Sequence, residues 1–284
     1  MPSWLNLSIL DDPLAQTAAL PLVIALFAAL LIRLLGGPGR GAALAGAGIA
    51  LGFIAAYVAI YGAPSPEPRG AAQKLVYIAA AGLAIGLLID LWRAPGWIAW
   101  TALLAWPTLA LAWLAENRLA QATSETWLLL GPLWLAIMAT MLRLERAARR
   151  DIDAGILMLV LCLGLGPIAL FGRSAALAQF GFALAAAIGG FLLLNWPKPR
   201  FALGSAVLVG AGGTLTAIGA ILVLFSRAER WALAVLLLAL IADPLCRRLL
   251  PKAGPWRAPV LTIAASVPAL VAIAIAYYVV RESS

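Results

Sequence analysis

The sequence predicts an all-α, polytopic membrane protein of about ten transmembrane helices, with both termini outside the cytoplasm. Three observations carry this prediction: the composition, a series of span-length apolar runs, and the placement of Lys and Arg. The 284 residues are 64% hydrophobic and only 11% charged, with a mean hydropathy of +1.01. A soluble domain is about half apolar and about a quarter charged. This chain lacks the polar surface to cover itself in water, so its solvent is mostly lipid.

A transmembrane helix needs about 20 apolar residues. Taken in order and bounded by charged residues or by Pro and Gly, the runs are 17–36, 41–61, 73–92, 95–115, 126–143, 154–171, 174–195, 202–225, 230–246 and 258–280. The first ends at Gly36-Gly37-Pro38-Gly39, the second before Ala63-Pro64-Ser65-Pro66, and the seventh at Asn195-Trp196-Pro197. These are the residues that stop helices and make turns. The fifth is followed by the charged stretch Arg143 to Asp153. No connection is long enough to form a soluble domain. The stretch from Met1 to Gln16 has two aspartates and no Lys or Arg, unlike the positive start of a signal peptide, so the first run is expected to be a retained helix.

Lys and Arg favour the cytoplasmic side during insertion. With the N-terminus outside, 13 of the 20 basic residues fall in inside connections and 7 in outside ones. The loop with Arg146, Arg149 and Arg150 is the strongest anchor. Trp4, Trp92, Trp97, Trp127, Trp196, Trp231 and Trp256 lie near span ends, as in an interfacial aromatic belt. Trp106 and Trp134 fall inside spans and are expected to pack there. The net charge of +8 is explained by this asymmetry, and no nucleic-acid partner is expected.

The chain has no His. That excludes His-based metal sites, bis-histidine haem ligation and Ser-His-Asp catalysis. Cys162 lies mid-span and Cys246 at a span end, which argues against a disulfide. No metal or cofactor is expected. No pair of carboxylates lies in the bilayer for aspartyl proteolysis, and no lysine is placed for a Schiff base. The expectation is that the chain is not an enzyme.

Residues 39–51 read GRGAALAGAGIAL and residues 172–184 read GRSAALAQFGFAL, nine identities in thirteen at an offset of 133. About two would be expected by chance in so Ala- and Leu-rich a chain. The same offset pairs Ala84-Ile85-Gly86 with Ala217-Ile218-Gly219. Low complexity is the other reading of such a match; if the repeat is real, the chain divides into two five-helix halves of one membrane domain, 1–146 and 147–284. An odd number of spans inserts the second copy upside down. Such inverted repeats occur in many secondary transporters, with the substrate between the halves near the midplane. The length and the five-plus-five layout are similar to those of the drug/metabolite transporter superfamily. The similarity is one of layout, with no shared residue motif, and those proteins usually place both termini in the cytoplasm.

Candidate substrate-binding residues are the uncharged polar and helix-breaking positions within spans. Gln179 needs partners in a dry environment, with interhelical bonding as the plainer reading. Thr214 and Thr216 are expected to bond to their own helix backbone. Gly164, Gly166 and Pro167 interrupt the sixth span, and Gly210, Gly212 and Gly213 cluster in the eighth. Close helix packing is the default reading of these glycines; a functional reading needs a broken helix that lines a cavity, and these two spans are the best places for one. Asp90 and Asp243 are interfacial carboxylates with basic neighbours, Arg93 for the first and Arg247 and Arg248 for the second. A solvated or salt-bridged role is favoured over ion coupling.

The functional expectation is a small secondary transporter or exporter of a small metabolite or amphiphile, in a bacterial-type inner membrane. The alternative is a non-catalytic subunit or assembly factor of a larger membrane complex. The partners expected are the lipid bilayer and either a second copy or other membrane subunits.

Overall fold

In the computed structural model, residues 12–121, 123–149, 152–249 and 256–282 are described. Trp4, Asp11, Arg150, Asp151 and Lys252 of the charge and aromatic patterns lie outside them. The described residues form helices joined by short connections, without strands. Eight of these helices are long and apolar enough to cross a membrane. The protein is thus a helical, multi-pass membrane protein.

The helices are α1 (Leu20–Gly36), α2 (Ala47–Tyr61), α3 (Ala71–Trp92), α4 (Gly96–Leu114) and α5 (Ser124–Ala148). They continue with α6 (Asp153–Phe171), α7 (Ala175–Leu194), α8 (Ala206–Phe225) and α10 (Arg257–Glu282). Between the last two lies α9, a composite of Arg230–Leu236, a 3₁₀ stretch Leu237–Ile241, and Ala242–Leu249. Each occupies the place of an expected run. The two short segments are α2 and α9. The start of α2 lies six residues after its expected place, and α5 continues five residues past its expected end, through Glu145.

Local sequence sets the ends. Gln73 bends back to accept the amides of Arg69 and Gly70 at 3.0 and 3.1 Å, which starts α3. Thr123 accepts the amide of Thr126 to start α5, and Glu229 that of Trp231 to start α9. Buried Asn195 accepts the amides of Arg200 and Phe201, both at 2.8 Å, and so folds the connection from α7 to α8. Gly37, at φ 70°, turns the chain after α1. A Cβ on Gly41 would fall 2.7 Å from the carbonyl oxygen of Ile32, nine residues back. In a continuous helix those residues would be about 13 Å apart along the axis, so α1 and α2 form an antiparallel hairpin.

Polar contacts gather at two ends. At one, Lys74 reaches Glu116 and the carbonyl of Trp113, both at 2.8 Å. Arg118 donates to the carbonyl of Leu224 at 2.9 Å, and the amide of Arg227 to that of Gly172. At the other, Asp90 meets the start of α8, and Arg257 meets Asp153 and Asp243. This second end holds the connections richest in Arg and is called the basic end below.

α8 is the centre of the bundle: 89% of its span is buried, against 17% for the first hairpin helix. α3 lies directly along it, with glycines at the contact. A Cβ on Gly86 would sit 2.5 Å from the Cα of Ala206, and one on Gly82 would sit 2.7 Å from the Val209 carbonyl. α2 packs on α7 through Phe53, Tyr57 and Phe180, with the rings of Tyr57 and Phe180 stacked 5.3 Å apart. A 133-residue offset would set α3 against α8 and α2 against α7. The packing does not follow that offset throughout: α1 lies along α7, whereas α6 and α2, the pair the offset would match to them, have no comparable contact.

Candidate functional site: two cavities on the α5–α8 seam

Two cavities flank the line along which α5 meets α8. The inner one, at the basic end, has a volume of ≈ 240 Å³ and is walled by α3, α4, α5 and the start of α8. Its polar groups are Asp90, Glu145, Arg149 and Ser205, with the Trp100 ring beside them. The outer one, towards the opposite end, has a volume of ≈ 360 Å³ and lies between α5 and α9, with α6 and α8 as its floor. Its wall is apolar apart from the hydroxyls of Thr140 and Thr216 and the guanidinium of Arg230.

Between the cavities the seam is shut. Met141 and Leu144 of α5 are fully buried. They face Gly212, where a Cβ would be 3.5 Å from the Met141 Cε and 3.9 Å from Leu144. Trp106 of α4 presses its indole into the space left by Gly82 and Gly213, within 3.2 Å of the Cβ positions those residues lack. Its Nε1 is buried without a hydrogen-bond partner among the described residues. Here α8 also changes its winding, from wide π-type turns through Ala206–Gly212 to a regular α-helix from Gly213. Wide turns of this kind occur often at functional sites.

In the inner cavity the charges are mostly engaged. Asp90 accepts the amide of Ser205 on one oxygen and that of Ala206 on the other, each at 2.9 Å. These are amides that the first turn of a helix leaves unpaired. A carboxylate there also suits the positive end of the helix dipole. Asp90 is therefore a cap supplied by α3 to α8, and its expected neighbour Arg93 is exposed to solvent. Glu145 pairs through Oε1 with Arg149, one helical turn on, and the Arg149 guanidinium lies 5.6 Å over the Trp100 ring. Glu145 Oε2 is buried and has no partner among the described residues.

The structure separates the sequence candidates. Thr216 lines the outer cavity, and its hydroxyl donates to the Gly213 carbonyl at 2.9 Å. Thr214 is buried beside the constriction and donates to Gly210 at 2.7 Å. Both hydroxyls therefore bond to their own helix, as expected. Gly164 and Gly166 do not break a helix, and this corrects the expectation for the sixth span. α6 runs unbroken through them and through Pro167. A Cβ on Gly164 would strike the Leu236 side chain, and one on Gly166 would meet the Phe182 ring at 2.5 Å, so both residues serve close packing. Gln179 is half-buried on α7, lines neither cavity, and makes no hydrogen bond among the described residues. Asp243 is salt-bridged, and Arg257 is one of its partners. Arg257 of α10 lies 2.6 Å from Asp153 and 3.5 Å from Asp243, joining the basic ends of α6, α9 and α10.

Glu145, Arg149 and Trp100 were not read from the sequence as site residues, nor were Thr140 and Arg230. The available signal was the i,i+4 spacing of Glu145 and Arg149, a pattern of helix rather than loop. Among the described residues no group of three or more Cys, Asp or Glu side chains is placed to hold a metal ion. Compared with known protein families and with curated proteins, the chain matches none.

Proposed function

We propose that the chain is a small secondary transporter or exporter that moves a small metabolite or amphiphile along the α5–α8 seam by alternating access. One observation carries the reading: the seam has a cavity towards each end and a closed constriction between them. Alternating access needs this arrangement, with one barrier opened at a time. The glycines at 212 and 213 leave α8 free of side chains where Met141 and Trp106 close on it, so a small shift of either opens the path. The change of winding in α8 supplies a place for that shift.

The two-half organisation fits this reading. In an inverted repeat of 1–146 and 147–284, equivalent helices meet at the axis, and α3–α8 and α2–α7 are such pairs. In the proposed orientation the basic end is cytoplasmic, both termini are outside, α2 and α9 also cross, and the membrane is a bacterial-type inner membrane. The carboxylates are engaged in capping and pairing, so a carrier fits better than an enzyme.

The test is flux. Purified protein in liposomes should move a fluorescent single-chain amphiphile between leaflets, read as the fraction quenched by an impermeant reductant. Met141→Trp should abolish the movement by filling the constriction. If the wild-type protein gives no movement above empty liposomes, and extraction of native membranes in mild detergent yields a stoichiometric partner, the subunit reading replaces this one.

A further inference from the structure

We infer that the outer cavity is a binding site for a single-chain amphiphile with an anionic head, its chain between α5 and α9 and its head at Arg230. The inference rests on the transporter reading for its role and on the cavity alone for its chemistry.

The shape sets the first constraint. The lining residues of α5 run from Leu128 to Thr140, about 18 Å at 1.5 Å per residue. One leaflet of hydrocarbon is about 15 Å deep. The cleft therefore matches one acyl chain lying along the bilayer normal. Its volume of ≈ 360 Å³ is at the small end of ligand pockets, about 300–1,000 Å³, which favours one chain over two. Leu128 at its edge is 76% exposed, so the cleft opens sideways to lipid.

The wall sets the second constraint. Leu129, Leu133, Ile137, Leu161 and Leu215 offer only apolar surface. The hydroxyls of Thr140 and Thr216 are already bonded, to Ala136 at 2.8 Å and to Gly213 at 2.9 Å. A polar ligand body would find as partners along this wall only the two hydroxyl oxygens, as acceptors, and burying its other polar groups unpaired is costly. A hydrocarbon chain asks for none.

The charge at the mouth sets the third. Arg230 is exposed, forms no ion pair among the described residues, and stands at the first turn of α9. Arg118 and Arg227 lie on the same end. Arg118 lies 5.9 Å over the Phe225 ring and is bound to the Leu224 carbonyl. The adjacent acid, Glu229, turns back to accept the amide of Trp231. No acidic side chain lines the cleft. A guanidinium above an apolar slot complements a carboxylate or phosphate head.

The experiment is photo-crosslinking of the full chain in nanodiscs with diazirine-bearing palmitate and, as control, the matching neutral alcohol. Palmitate should label peptides of α5 and α9 that line the cleft at least fivefold above those of α10. The alcohol should label them several-fold less. Arg230→Gln should remove the preference for the acid, and Arg230→Lys should restore most of it. Leu233→Trp, which fills the slot, should remove labelling by both probes. Equal labelling by acid and alcohol, or labelling spread evenly over the lipid-facing helices, would overturn the proposal. Cleft labelling without amphiphile flux would leave this site standing and remove the transporter reading. Flux without cleft labelling would do the reverse.

Discussion

The inner and outer cavities share two helices yet are built on opposite principles. The inner one is held together by polar bonds across elements far apart in sequence. Asp90 of α3 caps α8, and Glu145 and Arg149 close over Trp100. The outer one has no such bond, since its hydroxyls satisfy their own helices and its one charge faces outwards. Polar groups at the inner cavity contribute to stability, so altering them should weaken the fold. The outer wall is bare, so altering it should change what the cleft accepts and little else. The same protein thus offers a structural polar site and an apolar cleft, and residue type alone does not distinguish them.

The sharpest way to break this contrast is Asp90→Ala. It strips two amides of their acceptor at the start of the central helix. The expected cost is about 2–3 kcal/mol, read as a lowered midpoint of thermal unfolding in detergent. Asp90→Asn keeps an acceptor and should lose less. Thr216→Val in the outer cleft should change the midpoint by no more than the scatter of the measurement. An equal drop for Asp90→Ala and Thr216→Val would dissolve the distinction.

Next in size is Gly86→Ala. A methyl group there would fall 2.5 Å from both the Cα of Ala206 and the Ser205 carbonyl, so α3 must move off α8. Overpacking of this kind costs about 1–3 kcal/mol. Smaller again is Glu145→Gln, which removes the ion pair with Arg149. The Arg149 side chain is 62% exposed, and pairs so screened by solvent are worth about 0–1 kcal/mol. A loss well beyond that range would show that Glu145 Oε2 has a role in holding α5 to its neighbours.

What the sequence made legible follows from what each pattern depends on. The spans were readable because lipid demands long apolar runs, and the stops at Gly36-Gly37-Pro38 and Asn195-Trp196-Pro197 are local chemistry. The fifth helix was cut short at Arg143 because the charges after it were read as loop, whereas the helix runs on to Ala148 and Arg143 donates to the Leu240 carbonyl at 3.0 Å. Asp90 was recognised as interfacial, but its partner, an α8 amide 115 residues on, is set by packing. Asp243 was recognised as a solvated or salt-bridged interfacial carboxylate, and its pairing with Arg257 of α10 is likewise set by packing. Gln179 drew attention because buried amides need partners, and it is only half-buried. The cavities were invisible because each is made of ordinary residues from four helices, and only their assembly leaves space.

The smallest predicted effect is the most pointed. Gly86 and Gly219 are paired by the 133-residue offset, and both lie on helices at the centre of the bundle. Gly86 is sealed against Ala206, whereas a Cβ on Gly219 would meet nothing within 4 Å. Gly219 lines the outer cleft. Gly219→Ala should therefore shift stability by less than about 0.5 kcal/mol, or raise it slightly, because Ala favours helix over Gly. The methyl group would instead occupy the floor of the cleft and lower palmitate labelling about twofold. If Gly219→Ala cost as much as Gly86→Ala, the two positions would be equally packed, and the difference between the closed inner and the open outer side of α8 would vanish. If it left both stability and labelling untouched, the chain of the amphiphile would have to lie nearer the surface, against Leu128 and Leu129, rather than reach α8.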